Sequence, residues 1–472
     1  MKRERKLLDA IADVPDEMIE ETEKRLTQTY SAKSKKRLLW LLPAVACLLL
    51  FAGAILWFAL PGTRLQKKPK ETPRLQAAAP IMEVSMPETY AFDDSETRWK
   101  IRDENPVEES FTEGLRTFSY ETASALLAEG EENVNYSPLS LYYALALAAT
   151  GAEGETKEEL LALLHVPDTD TLAAQCGNFF RLSYQDNEIG IRKIANSLWM
   201  DKDTAWKQGF IEGAAKNFYS SVFSMDLGSE EAAAAMSAWI SQQTNGSLAP
   251  ALSPDEESIL RLINTVTFHD EWVDRFNKEK TKPDSFTLSD GSSVTCDFMN
   301  RTYDSHGFSL GDGYTRSSLS LKNNTMVFIL PDEGVSPQSL VDTPEKMREA
   351  FEGGEDYMGE VVWQVPKFDF ASSLDLKETL NHLGVSSAFG LDADFSGITD
   401  DAAFLSGVTQ GTHIAVNEDG VDASAFTMID YAGAAMPEGR ADMRLTRPFL
   451  YGIIGTDGSL LFVGICENPA AN

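Results

Sequence analysis

Asn417-Glu418-Asp419-Gly420-Val421-Asp422-Ala423-Ser424-Ala425-Phe426-Thr427 is the stretch on which the reading of this chain turns. With a period of two, Val421, Ala423, Ala425 and Thr427 fall on one side and Asp422, Ser424, Phe426 and Met428 on the other, as in a strand with one buried face. The first side carries only small or uncharged groups. Gly420 precedes it with the backbone freedom that a hinge requires. The segment from Met428 to Arg447 is looser.

Outward from this stretch, 449–454 and 459–466 read as a hairpin about Thr456-Asp457-Gly458. On the other side, 360–366 and 367–370 are strand-like and 374–383 is a helix ended by Gly384. Segments 259–268, 285–288, 318–322 and 326–330 also read as strands, the last stopped by Pro331. Helices dominate earlier in the chain, at 108–128, 141–149, 156–164 and 232–243, the last closed by Asn245-Gly246. A short buried strand, 196–199, interrupts them. Helices crowd the first half and strands the second, which favours an α+β fold over a doubly wound sheet.

The N-terminal region has a different composition. Residues 1–37 are charged and carry an amphipathic run that includes Leu7, Ile11 and Met18. Residues 38–60 contain no charge, enough to cross about 30 Å of hydrocarbon as a helix. The run is longer than a signal-peptide core and lacks a close small-residue cleavage site, so an uncleaved span is expected. Basic residues flank both ends, Lys33 to Arg37 and Arg64 to Arg74, and leave little asymmetry to orient it. The expected arrangement is a single-pass bacterial-type membrane protein, with 1–37 as a cytoplasmic tail and the main body, 107–472, outside the cell. Residues 61–106, rich in proline, read as a flexible linker.

The net charge is −32, but it is unevenly spread. Residues 1–74 hold 15 Lys/Arg against 9 Asp/Glu, and the remainder 26 against 64. Such a body argues against nucleic-acid or other polyanion binding and for a cationic protein partner. Cys47, Cys176, Cys296 and Cys466 are widely spaced and form no CxxC pair, so free thiols are expected, with no disulfide framework or metal site. The five histidines are scattered, and neither HExxH, GxSxG nor a phosphate-binding GxxxxGK[ST] occurs. Gly151-Ala152-Glu153-Gly154 ends a helix instead of linking a strand to one, and its glutamate would repel phosphate. No catalytic constellation or cofactor site is expected.

Eight stretches in order carry a family resemblance. They are Asn133-Val134-Asn135-Tyr136-Ser137-Pro138-Leu139-Ser140, Asn196-Ser197-Leu198-Trp199, Trp239 to Gly246, Leu262-Ile263-Asn264 through Trp272 and Phe276, Pro366-Lys367-Phe368, Leu383-Gly384, Asp394-Phe395-Ser396 and Arg447-Pro448-Phe449. Together they make the chain from about 107 to Pro469 resemble a serpin. The resemblance implies three β-sheets, eight or nine helices and an exposed reactive loop. A serine protease that attacks the loop forms an acyl-enzyme, the hinge then inserts as a new strand in the central sheet, and the protease is carried away and distorted. Insertion supplies ladder hydrogen bonds and apolar burial that the starting state lacks. Such a protein is an inhibitor and not an enzyme, and it is expected to act as a monomer without a cofactor.

The resemblance implies roles for particular positions. The hinge comprises Glu418, Gly420, Val421, Ala423, Ala425 and Thr427. An inserting face must be small or apolar because an unpaired buried charge costs several kcal/mol, and Val421, Ala423, Ala425 and Thr427 meet that demand. Asp422, Ser424 and Phe426 depart from the family's acidic-then-alanine run, but on the opposite face. Ser137, Ser140 and Asn264 match the polar cluster under the central sheet, with Gln410 where histidine is common. An amide both donates and accepts, so the network can persist without an imidazole's pH sensitivity. Trp272 matches the tryptophan where the loop first enters the sheet, a plain core aromatic being its other reading.

The reactive bond is less sharply placed. Counting from Gly420 gives Ala434-Ala435, whereas counting back from Pro448 lands near Met436 and Pro437. A proline after the cut lacks an amide hydrogen, which leaves Ala434-Ala435 or Ala435-Met436. Either fits an elastase-like or subtilisin-like protease with a small apolar pocket, and Arg440 is the trypsin-type alternative. The rival reading is a non-inhibitory membrane-tethered serpin acting as a binding module.

Overall fold

The computed structural model describes residues 79–471 apart from 129, 131, 256–257 and 422–438. The expected tail, the span at 38–60, and Ala423, Ala425, Thr427, Ala434, Ala435 and Met436 lie outside the described residues. No helix among those described is long and apolar enough to cross a membrane.

In chain order the elements are α1 (Ser95–Glu104), α2 (Glu109–Leu127), β1 (Val134–Tyr136), α3 (Pro138–Ala149), α4 (Gly154–Leu163), α5 (Thr169–Ser183), β2 (Gln185–Asp186) and β3 (Ile191–Asp201). Then follow α6 (Gln208–Phe218), β4 (Ser220–Met225), α7 (Glu230–Gln243), β5 (Leu260–Glu271), β6 (Lys282–Thr287), β7 (Ser293–Gly311), β8 (Tyr314–Ser320) and β9 (Asn324–Pro331). The last are α8 (Pro344–Glu352), β10 (Glu355–Pro366), β11 (Phe368–Asp375), α9 (Lys377–His382), β12 (Thr409–Val416), β13 (Gly420–Val421), β14 (Arg440–Arg444), β15 (Phe449–Gly455) and β16 (Leu460–Cys466). The early helices and late strands make the α+β arrangement expected, with nine α-helices among the described residues.

One hydrogen-bonded network has the order β1-β16-β15-β9-β8-β7-β10-β14, with β6 also on β7. It merges two of the three expected sheets, because the 19-residue β7 serves both. The early part of β7 pairs with β6 from Ser293 to Phe298, and only its end, Phe308 to Gly311, pairs with β8. The other sheet has the order β11-β12-β13-β5-β3-β2, with β4 on β3.

Helix α3 organises the core between these sheets. Ser137 caps it by accepting from the Ser140 amide, and Pro138 occupies its first turn, where a missing N–H costs nothing. Eleven of its 12 residues are buried, so it is apolar on every side, as a helix enclosed on every side must be. Tyr142 meets Phe118 of α2 edge-on at 5.1 Å, and Tyr143 meets Phe218 of α6 at 6.5 Å. Burying each such ring is worth about 1.5–3 kcal/mol. The polar N-terminus of α3 thereby lies against the sheet containing β12.

Two expectations need correction. The predicted linker, 61–106, is not a tether in its described part: Met82 bridges Val222 of β4, and Asp94 caps α1 through the Thr97 amide. Helix α1 buries none of its residues, so no apolar period could announce it. The predicted helix at 374–383 begins too early, because β11 continues through Asp375 in register with Thr409 of β12. Its alternating burial at Phe368, Phe370 and Ser372 holds it in the sheet. The Gly151–Gly154 segment is a turn from α3 into α4, as expected, and Cys176, Cys296 and Cys466 are free.

Candidate functional site

The site is built where the chain leaves β12. Asn417, Glu418 and Asp419 turn it back, with the Asn417 amide donating to the Gly420 carbonyl at 3.0 Å. The two-residue β13 then runs antiparallel to both neighbours: Val421 is in register with Val416 of β12 and Asp270 of β5, and Gly420 with Glu271. Among the described residues, β5 and β12 share no ladder of their own. The chain therefore starts a central strand between them.

Glycine at 420 is required by close approach. A Cβ there would lie 2.4 Å from the Asp270 carbonyl oxygen and 2.8 Å from the Glu271 Cα, both backbone atoms. Val421 follows at 3% exposure within the main hydrophobic core. The side expected to turn inward does so at this first position.

The end of β5 and the loop after it clamp the turn. Trp272 is 1% exposed, packs edge-on against Phe276 at 6.1 Å and donates its indole N–H to the Asn417 carbonyl at 2.8 Å. Its amide donates to the Asp419 carbonyl at 3.2 Å, and the Phe276 amide to the Glu418 carbonyl at 3.0 Å. Asp419 pairs with Lys278 at 2.6 Å and Arg275 at 3.5 Å. Glu418 pairs with Lys367 at 3.1 Å and accepts from the Thr281 hydroxyl at 2.9 Å. Burial opposes ionisation of Glu418, but its own amide, Thr281 and Lys367 together hold the carboxyl below its ordinary range.

Two buried acids under β13 were not singled out from the sequence. Asp270, in register with Val421, accepts from the Asn323 amide at 2.9 Å and the Asn324 side chain at 2.7 Å. Burial nevertheless lifts its carboxyl above the usual carboxylate value. Glu271, fully buried, pairs with Lys322 at 2.9 Å and Arg275 at 3.1 Å. Adjacent acids at the end of a strand look like a solvated terminus in sequence; only the partners from the β8–β9 turn reveal a buried network.

The second cluster lies at the N-terminus of α3. Gln410 accepts from the Ser137 amide and donates to the Ser137 carbonyl, each at 2.9 Å, so both ends of its amide are used. The Ser137 hydroxyl donates to the Leu461 carbonyl at 2.8 Å. Ser140 bonds Asn264 of β5, which in turn bonds Asn196 of β3. Asn196 also donates to the Phe218 carbonyl at 2.6 Å. The structure thus brings Ser137, Ser140, Asn264 and Gln410 together, and joins β12 to β3 through them. Asn196 belongs to the network although sequence reading valued it only as part of a motif. Trp272 lies apart, at the turn.

Comparison with known proteins agrees with this architecture. The chain matches the family Serpin (serine protease inhibitor) over residues 113–469. It is 27% identical to alpha-1-antiproteinase of Rattus norvegicus, covering 81% of this chain and 95% of that protein. It is 30% identical to serpin-Z7 of Hordeum vulgare, covering 75% and 95%. The structure resembles the thermophilic serpin tengpin in its native state, with a TM-score of 0.70, 25% identity and coverage of 83% and 99%. Serpins are generally protease inhibitors and not enzymes, and this chain belongs to the serpin family.

Proposed function

We propose that the chain inhibits a serine protease as a suicide substrate. The target cuts at Ala434-Ala435 or Ala435-Met436, remains bound as an acyl-enzyme, and is trapped as β13 extends into the central sheet. The observation that carries this reading is the placement of Gly420–Val421 between β12 and β5, which share no ladder among the described residues. Each residue added to β13 would gain backbone partners on both sides, and the face continuing from Val421 through Ala423, Ala425 and Thr427 brings no charge inward. The small residues at the expected bond support an elastase-like or subtilisin-like target.

The same reading places the domain outside the cell, tethered by the apolar run at 38–60. Shaving intact cells with a protease should release the domain, and a fully protected domain would reverse this orientation. Inhibition is tested by mixing the chain with elastase-like and subtilisin-like proteases and resolving the products on a denaturing gel. A covalent complex is expected. A cleaved loop with no complex would favour the rival reading, a tethered binding module.

A further inference from the structure

We propose that the cavity between α1 and the β8–β9 and β15–β16 turns binds a small organic oxyanion, a molecule with a phosphate or carboxylate head and an apolar body. The cavity is about 480 Å³ in volume, the size of site that takes a small ligand and too small for a polymer. Its lining includes four cations, Arg98, Arg102, Arg192 and Lys322, against one carboxylate, Asp457. That is the reverse of the body around it, in which acidic residues outnumber basic ones 64 to 26 beyond residue 74. A concave, locally cationic site in an anionic protein concentrates a small anion where the whole surface would repel a long one.

Arg192 gives the site a recognition group. It is 8% exposed, and its Nε donates to the Ser183 carbonyl at 2.6 Å. Its Nη1 is buried without a hydrogen-bond partner, the Asp457 carboxylate standing 4.0 Å away. A buried guanidinium with an unspent donor is costly unless an acceptor reaches it. At the exposed rim, Arg98 is held by the Phe92 carbonyl and Arg102 lies over the Trp99 ring at 5.3 Å. The charge of Arg98 also acts on the Asp94 carboxylate, and neither arginine forms an ion pair within 4.0 Å among the described residues. Val107, Phe179 and Leu182 supply the apolar wall.

The cavity also touches the hinge network. Lys322 and Asn323 line it, and the same two residues hold Glu271 and Asp270, the register partners of Gly420 and Val421. An anion that shares Lys322 draws its ammonium from Glu271 and loosens β5 against β13. The proposal stands independently of whether the chain inhibits a protease.

The test titrates the full chain, in nonionic detergent, with phenyl phosphate, benzoate and inorganic phosphate by calorimetry. Saturable 1:1 binding is expected for phenyl phosphate or benzoate, tighter than for inorganic phosphate, and the preferred aromatic anion identifies the head group. The exposed-rim variant Arg98→Gln/Arg102→Gln should bind about tenfold more weakly, while Arg440→Gln on β14 should match the parent. Bound ligand should also speed amide exchange at Gly420 and Val421. Absence of saturable binding at millimolar ligand, or equal affinity in the rim variant, would overturn the site; binding with unchanged exchange would overturn the link to the hinge.

Discussion

The Glu418 carboxylate lies 3.1 Å from the Lys367 ammonium, and this pair ties the turn after β12 to the start of β11. It holds the first residues of the hinge against the far strand of the sheet. Its effect should depend on pH with a definite sign. The carboxyl of Glu418 is held below 4.5, so its contribution is present above that value and is lost as pH falls through the folded pKa. Asp270 runs the other way: burial lifts it above 3.8, so its contribution declines as pH rises from 3.8 toward the lifted value. Comparison with Glu418→Gln isolates the first effect. Since Lys367 remains 37% exposed, the variant should lose only about 1–2 kcal/mol near neutral pH. That loss should shrink in acid, as read from denaturant unfolding; a constant difference down to about pH 3 would contradict the assignment.

Gly420→Ala probes close packing. The added methyl meets two backbone atoms of β5, which cannot swing aside as a flexible side chain can. The expected cost is about 1–3 kcal/mol, with faster hydrogen exchange at residues 270–272. Native-like exchange in the variant would show that β13 does not sit this tightly.

Val421 faces the core beside Asp270, and this chooses the substitution. An arginine there would find the Asp270 carboxylate and be partly compensated. Val421→Glu instead buries a second acid opposite the first. The variant should be cut by the target protease while forming far less covalent complex than the parent. Equal complex formation would refute the inward face.

Gln410→Ala removes the acceptor of the Ser137 amide at the start of α3. The Ser137 carbonyl keeps the Leu141 amide at 3.3 Å, so one group is orphaned instead of two. The expected loss is about 1–3 kcal/mol in unfolding free energy. A change within a few tenths of a kcal/mol would mean that water replaces the amide.

Where side chains alternate or a motif recurs, the sequence was sufficient. The burial of Val421, the hairpin about Asp457 and the grouping of Ser137, Ser140, Asn264 and Gln410 were legible, the last through resemblance, while the faces from Asp422 to Thr427 lie outside the described residues. Helix α1 was not, because it has no buried face, and the 19-residue β7 was not, because its polar run from Asn300 to Ser305 breaks any alternation. Asp270, Glu271 and Lys322 escaped for a different reason. Lys322 lies 51 residues from Glu271 and Asn324 lies 54 from Asp270, and pairing at such separation leaves no local pattern.

The central claim is that the strand begun by Gly420 and Val421 is completed once the loop is cut. The most direct measurement is the melting midpoint of the full chain before and after one cleavage between residues 431 and 440. A rise well above the midpoint of the intact chain is predicted, because insertion adds a paired strand to the central sheet. A cleaved chain that melts where the intact one does, or below, would contradict it.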